Sequence, residues 1–338
     1  MRGTVITLFG AALIAAAVAG CGGSGGGPLR GAGSSLVFPL VHAWIPEVQD
    51  RSGFDTRYAP VGSGAGIQAI TTRTVDFGAS DAPLTPDQAD SCDGCLLVPW
   101  ALSATTLAYN LPGVRGDLRL TGPVIADIYL GRITSWSDPR ITSLNPGKKL
   151  PSKGIGPIFR SDPSGDTYAF TSYLSKVSPA WKAKVGAATL VDFPEGAGGR
   201  GNAGVAGVLT RTPGAIGYLS VAYAVQNNLR VASIRNAAGN YVRPDLASIE
   251  AAAWAMDEPE PDNSIPIVDP PATAPDAYPI STFTYAIVPQ GSSRASELKE
   301  FLTYAVGPGQ QFAERYVFAR LPPRVVVLAR KTIATIGS

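Results

Sequence analysis

The sequence predicts an α/β protein built from two domains, and three observations carry that prediction. At 338 residues the chain is long for one domain of ~100–200 residues and ample for a full hydrophobic core. From residue 31 onward, apolar runs alternate with Gly/Ser-rich turns and amphipathic stretches, which is the pattern of strands interleaved with helices. Hydrophobic residues make up 45% and charged residues only 16%, which excludes an intrinsically disordered chain.

Residues 1–20 read as an export signal. Arg2 supplies the positive start, and residues 5–19 (VITLFGAALIAAAVA) form an apolar stretch short of the ~20 residues that a membrane span needs. The stretch ends in Val18-Ala19-Gly20-Cys21, which resembles the lipobox of bacterial lipoproteins, where the Cys receives the lipid. Residues 21–30 read as a flexible tether, because 22–27 are GGSGGG.

The folded region follows in order. Residues 36–48 predict a helix, with Pro39 tolerable in its first turn. Residues 54–61 alternate in character like a strand, 65–72 predict a short helix, and 75–79 the end of a strand. Residues 96–111 are apolar and extended, 124–129 helical, 155–160 a strand running into a turn, 166–175 and 203–210 helices. Short strands are predicted at 215–218 and 231–234 and a helix at 246–255. Residues 257–279 are acidic and Pro-rich, which predicts an ordered surface loop before a strand at 282–288 and a helix at 293–305. The chain carries no internal repeat and no heptad pattern.

Charge and composition narrow the function. With 28 Lys+Arg against 26 Asp+Glu there is no basic field, so nucleic acid is excluded as the main partner. A single histidine, His42, removes most His-based metal sites and weakens any Ser-His-Asp proposal. It lies in an apolar helix, where packing is the simpler role. Three cysteines are an odd set. If Cys21 carries lipid, Cys92 and Cys95 remain, separated by the turn-forming Asp93-Gly94. Outside the cytoplasm that spacing favours a small disulfide. A redox dithiol would need a thioredoxin-like strand-to-helix setting, and a zinc half-site a second Cys/His pair; neither is visible.

Three segments share one design. Gly31-Ala32-Gly33-Ser34-Ser35-Leu36, Val61-Gly62-Ser63-Gly64-Ala65-Gly66-Ile67 and Arg160-Ser161-Asp162-Pro163-Ser164-Gly165-Asp166-Thr167 each open a predicted helix with small residues and a hydroxyl. Free N–H groups and the helix dipole make such starts natural anion sites. Converging, the three could surround a tetrahedral oxyanion with donors, and Arg160 would add one full positive charge in a two-pronged geometry. Taken one at a time, each serine could equally be a plain helix cap.

These segments, together with residues 74–84 (TVDFGASDAPL), 129–133 (YLGRI) with Trp136, 201–206 (GNAGVA), 212–218 (TPGAIGY) and 278–280 (YPI), resemble the phosphate-binding proteins of the phosphate-specific ABC transporter, the PstS family, in its lipoprotein form. The matches run in order from about residue 31 to residue 323. The resemblance implies a two-lobed periplasmic-binding-protein fold of type II, with 31–105 and 283–338 in one lobe, 106–282 in the other, and the ligand in the cleft. It implies a receptor, not an enzyme, that binds inorganic phosphate without a cofactor or metal, works as a monomer, and delivers its ligand to permease subunits from a lipid anchor on the outer face of the cell membrane.

Carried over residue by residue, Ser35 donates its hydroxyl and N–H, Leu36 a backbone N–H, and Ser63 the second loop's hydroxyl. Asp81 is the acceptor carboxylate. Arg160, Ser164 and Gly165 form the third loop, with Asp162 orienting the Arg. Pro163 stands where the family usually has Gly, and Asp166 where many members have Thr, so only the backbone N–H of Asp166 is expected to contribute. Asp81 carries the chemistry. A carboxylate facing a fully ionised oxyanion is repelled and desolvated, whereas one facing a protonated anion accepts a hydrogen bond. That asymmetry favours phosphate over sulfate or molybdate.

Other patterns carry less. Gly199-Arg200-Gly201-Asn202-Ala203-Gly204 matches G-x-G-x-x-G, but residues 205–244 hold no Asp or Glu for a ribose. Ser296-Glu297-Leu298-Lys299 matches S-x-x-K without its companion motifs. Trp136, Trp181 and Trp254 read as core or interface aromatics. The competing function is an exported phosphate-processing enzyme such as a phosphatase, against which stands the lack of paired metal ligands or of a nucleophile beside a base.

Overall fold

A computed structural model describes residues 27–338. The export signal over 1–20 and the lipidation residue Cys21 lie outside the described residues. Among the described residues twelve strands occur in chain order: β1 Leu29–Gly33, β2 Thr56–Ala59, β3 Phe77–Ser80, β4 Cys95–Tyr109, β5 Arg119–Leu120, β6 Gly156–Arg160, β7 Ala197–Gly199, β8 Ala215–Ser220, β9 Arg230–Val231, β10 Ser233–Arg235, β11 Tyr241–Val242 and β12 Ser281–Pro289. One path of strands runs β2-β1-β3-β12-β4-β8-β6-β7, with β9 also on β4, and β11-β10-β5 form a separate small sheet.

The long strand β4 joins two halves. Its residues 95–104 pair antiparallel with β12, and from Thr105 to Tyr109 it pairs with β8 instead. On one side β1 pairs parallel with β2 and β3, and on the other β6 pairs parallel with β7 and β8. Every residue of β3 and β8 is buried, as expected for strands covered on both faces. This is a two-lobed α/β architecture with a curled sheet running through both lobes.

Each half has its own aromatic core. In the first, Trp44, Phe77, Trp100 and Phe301 pack with ring centroids 5.4–6.4 Å apart. Trp44 comes from the helix Phe38–Ser52, whose Pro39, Leu40, Val41, Trp44 and Val48 form the buried stripe. In the second, Tyr129, Phe170 and Tyr218 lie 4.4–6.3 Å apart. Aromatic pairs at these separations stabilise beyond their buried area by about 0.5–1.5 kcal/mol.

Several sequence expectations are corrected. The tether does not extend to residue 30, because Leu29 and Arg30 already pair with Thr56 and Arg57 in the sheet and Leu29 is fully buried. The helix Pro323–Ala334 was not expected: Val325, Val326 and Val327 favour strands, but Pro322-Pro323 sets the helix start, and Val325, Ala329 and Ile333 pack inward at helical spacing. Residues 257–279 are not simply a surface loop, because Ile265 and Ile267 are buried and the Ile265 N–H donates to the Tyr285 hydroxyl at 2.8 Å. Of the three tryptophans read as core or interface aromatics, Trp136 and Trp181 are buried in the core and Trp254 is 63% exposed. His42 is exposed and touches the Phe38 ring, so it does not pack into the core. Ala232 breaks the predicted strand over 231–234 into β9 and β10.

Candidate functional site

The three small-residue loops converge where the lobes face each other. The Gly62 N–H donates to the Gly33 carbonyl at 2.8 Å, joining the first loop to the second. The Gly64 N–H donates to the Pro163 carbonyl at 3.2 Å, and the Gly165 N–H to Ser63 Oγ at 3.1 Å, joining the second to the third. The close approach explains two glycines. Gly62 sits at φ +98°, and a Cβ there would lie 2.6 Å from Asp162 Oδ2. A Cβ on Gly64 would lie 2.3 Å from Pro163 Cβ.

Asp81 lies at the junction, just after β3, and is 3% exposed. The Ser34 hydroxyl is 2.6 and 2.7 Å from its two oxygens, Thr284 Oγ1 donates at 2.9 Å, and Ser63 Oγ at 3.3 Å. Arg160 ends β6 and is gripped by Asp162 through two contacts, Nε to Oδ1 at 2.8 Å and Nη2 to Oδ2 at 2.5 Å. Asp162 also accepts the Gly201 N–H at 2.8 Å. The third Arg160 nitrogen, Nη1, reaches Asp166 Oδ2 at 3.0 Å.

Asp166 corrects the sequence expectation. Its N–H is taken by Ser164 Oγ at 3.1 Å, the helix-cap geometry, and its side chain, fully buried, enters the site. Besides Arg160, the carboxylate accepts from Thr105 Oγ1 at 2.7 Å and Asn202 Nδ2 at 2.7 Å. The Leu36 N–H donates to Ser34 Oγ at 3.1 Å, so Ser34 braces the turn that leads into the helix Phe38–Ser52, which has no side-chain cap of its own. Ser35 stands opposite, accepting from Asn202 Nδ2 at 3.0 Å. Ser35 and Asn202 also line a pocket with Phe38, Val61, Arg200 and Tyr223.

The electrostatics follow from one buried cation, Arg160, among three buried carboxylates. Burial, with the Asp166 charge adding to it, pushes Asp81 up to about 7 against the lowering bonds of Ser34 and Thr284 and the Arg160 charge. Burial also raises Asp166, with Arg160, Thr105 and Asn202 opposing. Asp162 goes the other way: burial would raise it, but the Arg160 fork and the Gly201 N–H hold it below its ordinary value. Burial works against the Arg160 charge, yet Asp162 and Asp166 keep its pKa raised.

The structure therefore brings Ser35, Leu36, Ser63, Asp81, Arg160, Asp162, Ser164, Gly165 and Asp166 into one cluster. Sequence reasoning missed Ser34, Thr105, Asn202 and Thr284. Ser34 and Asn202 sit inside segments already singled out, so both were within reach. Thr105 and Thr284 lie within β4 and β12, where Thr is an ordinary strand residue and gives no signal. Cys92 and Cys95 are joined as a disulfide at the end of the helix Pro86–Cys92. Among the described residues no group of three or more His, Cys, Asp or Glu is placed to hold a metal ion, and no helix is long and apolar enough to cross a membrane.

A family model described as a PBP superfamily domain matches residues 20–308. The phosphate-binding protein PstS of Xylella fastidiosa (strain Temecula1) is 39% identical over 303 residues, spanning 88% of this chain and 82% of that one. Phosphate-binding protein PstS 2 of Mycobacterium tuberculosis is 33% identical over 325 residues, spanning 89% and 85%. Among solved structures, a high-affinity periplasmic phosphate-binding protein bound with phosphate superposes with a TM-score of 0.74 at 22% identity, covering 90% of this chain and 93% of that one. The phosphate-binding protein of Stenotrophomonas maltophilia gives 0.72 at 19%, covering 90% and 94%. At these identities the structural likeness bears on the fold.

Proposed function

The chain belongs to the PstS family of phosphate-binding proteins, and from that membership we propose that it captures inorganic phosphate outside the cell membrane and delivers it to the permease of an ABC importer. The observation that carries the reading is Asp81, a buried carboxylate held by three hydroxyls in a donor-rich cleft. With Asp162 committed to Arg160, two further carboxylates, Asp81 and Asp166, face the same small volume as that one buried cation. A fully ionised anion would meet net repulsion there. An anion that carries protons turns the same carboxylates into hydrogen-bond acceptors. Hydrogen phosphate meets that requirement near neutral pH; sulfate does not.

The proposed donors are the hydroxyls of Ser35 and Ser164 and the Arg160 guanidinium, while the Ser63 hydroxyl holds Asp81 and the N–H groups of Leu36, Gly165 and Asp166 brace the loops through Ser34, Ser63 and Ser164. Asp81 is the acceptor, and Asp166 joins it through its carboxylate. Closure of the two lobes on the anion is the signal that the permease reads. The protein acts as a monomeric receptor without turnover, tethered by lipid on Cys21. Cys21→Ala should then move it from the membrane fraction to the soluble one; unchanged membrane retention would refute the anchor.

A thermal-shift screen of the chain from Gly22 onward tests the ligand. Phosphate should raise the melting temperature strongly and sulfate should not. Hydrolysis of a phosphate monoester by the purified protein would favour the enzyme reading instead.

A further inference from the structure

We infer that Asn202 is the positioning residue that makes the Ser35 hydroxyl an obligatory donor to the anion, and that it does so only when the two lobes are together. The inference rests on the phosphate-receptor reading and adds a residue to its site. Asn202 lies in the first turn of the helix Gly201–Arg211, in the half that carries β6 and β8. Ser35 follows β1 in the other half.

The amide orientation is fixed by its neighbours. Asn202 Oδ1 accepts the Ser220 backbone N–H at 2.7 Å, a group that can only donate. Nδ2 therefore points the other way, donating to Asp166 Oδ2 at 2.7 Å and to Ser35 Oγ at 3.0 Å. The Asn202 backbone N–H adds a longer contact to the same Ser35 oxygen at 3.4 Å. Among the described residues Ser35 Oγ has no other hydrogen-bond partner.

A hydroxyl has one proton and two lone pairs. Here Asn202 occupies the acceptor side from across the cleft, so the remaining proton is left to donate. Free serine hydroxyls rotate and can present a lone pair to an anion, which repels it. In the closed arrangement Asn202 removes that option. It also ties the Asp166 carboxylate to the same amide, so the donor from one lobe and the acid of the other are set by one side chain. Bonds of this charge-assisted kind at an anion contribute about tenfold or more each in affinity.

A double-mutant cycle in the full chain, purified in detergent and titrated with inorganic phosphate, tests this. Asn202→Ala and Ser35→Ala should each weaken binding about tenfold or more, and the double variant should be within about threefold of the weaker single. In a Ser35→Thr background, where a hydroxyl remains, Asn202→Ala should again cost about tenfold. Multiplicative losses in the cycle, or an Asn202→Ala cost independent of the hydroxyl at position 35, would overturn the inference. If Asn202→Ala does not fold, Asn202→Asp keeps the acceptor for the Ser220 N–H while removing the donor to Ser35, and the cycle is run with it. Should the unsubstituted chain fail to bind phosphate at all, the receptor reading fails, an outcome separate from additivity in the cycle.

Discussion

The Ser34 hydroxyl lies 2.6 Å from one oxygen of Asp81 and 2.7 Å from the other. One proton cannot serve two oxygens at full strength, so the contact is strongest when the carboxyl itself carries a proton and donates one of the two bonds. Burial and the neighbouring Asp166 push Asp81 toward that form.

This has a consequence for stability. In the unfolded chain Asp81 titrates near 4, and in the fold at about 7. Between those values the folded protein holds more protons than the unfolded chain. Stability therefore falls as pH rises from about 4 to about 7, by at most ~4 kcal/mol from this group, and levels off above. Urea unfolding of phosphate-free protein and of Asp81→Asn at pH 4, 6 and 8 measures it. The variant should gain on the parent as pH rises; a constant difference would show that Asp81 titrates normally.

Asp162 holds Arg160, the buried cation of the site. Asp162→Ala leaves Arg160 buried, with Asp166 as its remaining ionic partner. A buried charge left wholly uncompensated costs about 3–5 kcal/mol, and with Asp166 still paired the loss is smaller than that. The expected result is a lower urea midpoint together with phosphate affinity weakened at least tenfold, read by calorimetry. Unchanged affinity would mean that Asp162 does not aim the guanidinium.

Gly64→Ala separates stability from binding. Gly64 is inside the helix Ser63–Thr71, where Ala is favoured by about 0.5–1 kcal/mol. The added Cβ, however, would meet the rigid ring of Pro163 across the cleft at 2.3 Å. Phosphate affinity should fall tenfold or more while the phosphate-free melting temperature stays level or rises. Small-angle scattering should find a less compact protein in saturating phosphate than for the parent. A phosphate-bound variant as compact as the parent would remove the steric argument.

The sequence was informative where local chemistry decides structure. The Gly/Ser loops at 31–36 and 61–67 and the Arg160 loop announce helix starts by composition alone, and all three meet in the fold. It was silent where tertiary packing decides. The helix Pro323–Ala334 forms against the valine preference for strands, and Thr105 and Thr284 become site residues only because β4 and β12 carry them into the cleft. Asp166 went the wrong way for an instructive reason. Beside an anion a second carboxylate looks unfavourable, yet Arg160, Thr105 and Asn202 together satisfy it.

The central claim is that Asp81 reads a proton on the ligand, and calorimetric titration of the parent and Asp81→Asn with phosphate and with sulfate tests it most directly. The parent should bind phosphate at one site per chain, with sulfate far weaker, and Asp81→Asn should narrow that preference by at least tenfold. A phosphate-to-sulfate ratio unchanged by the substitution would contradict the account.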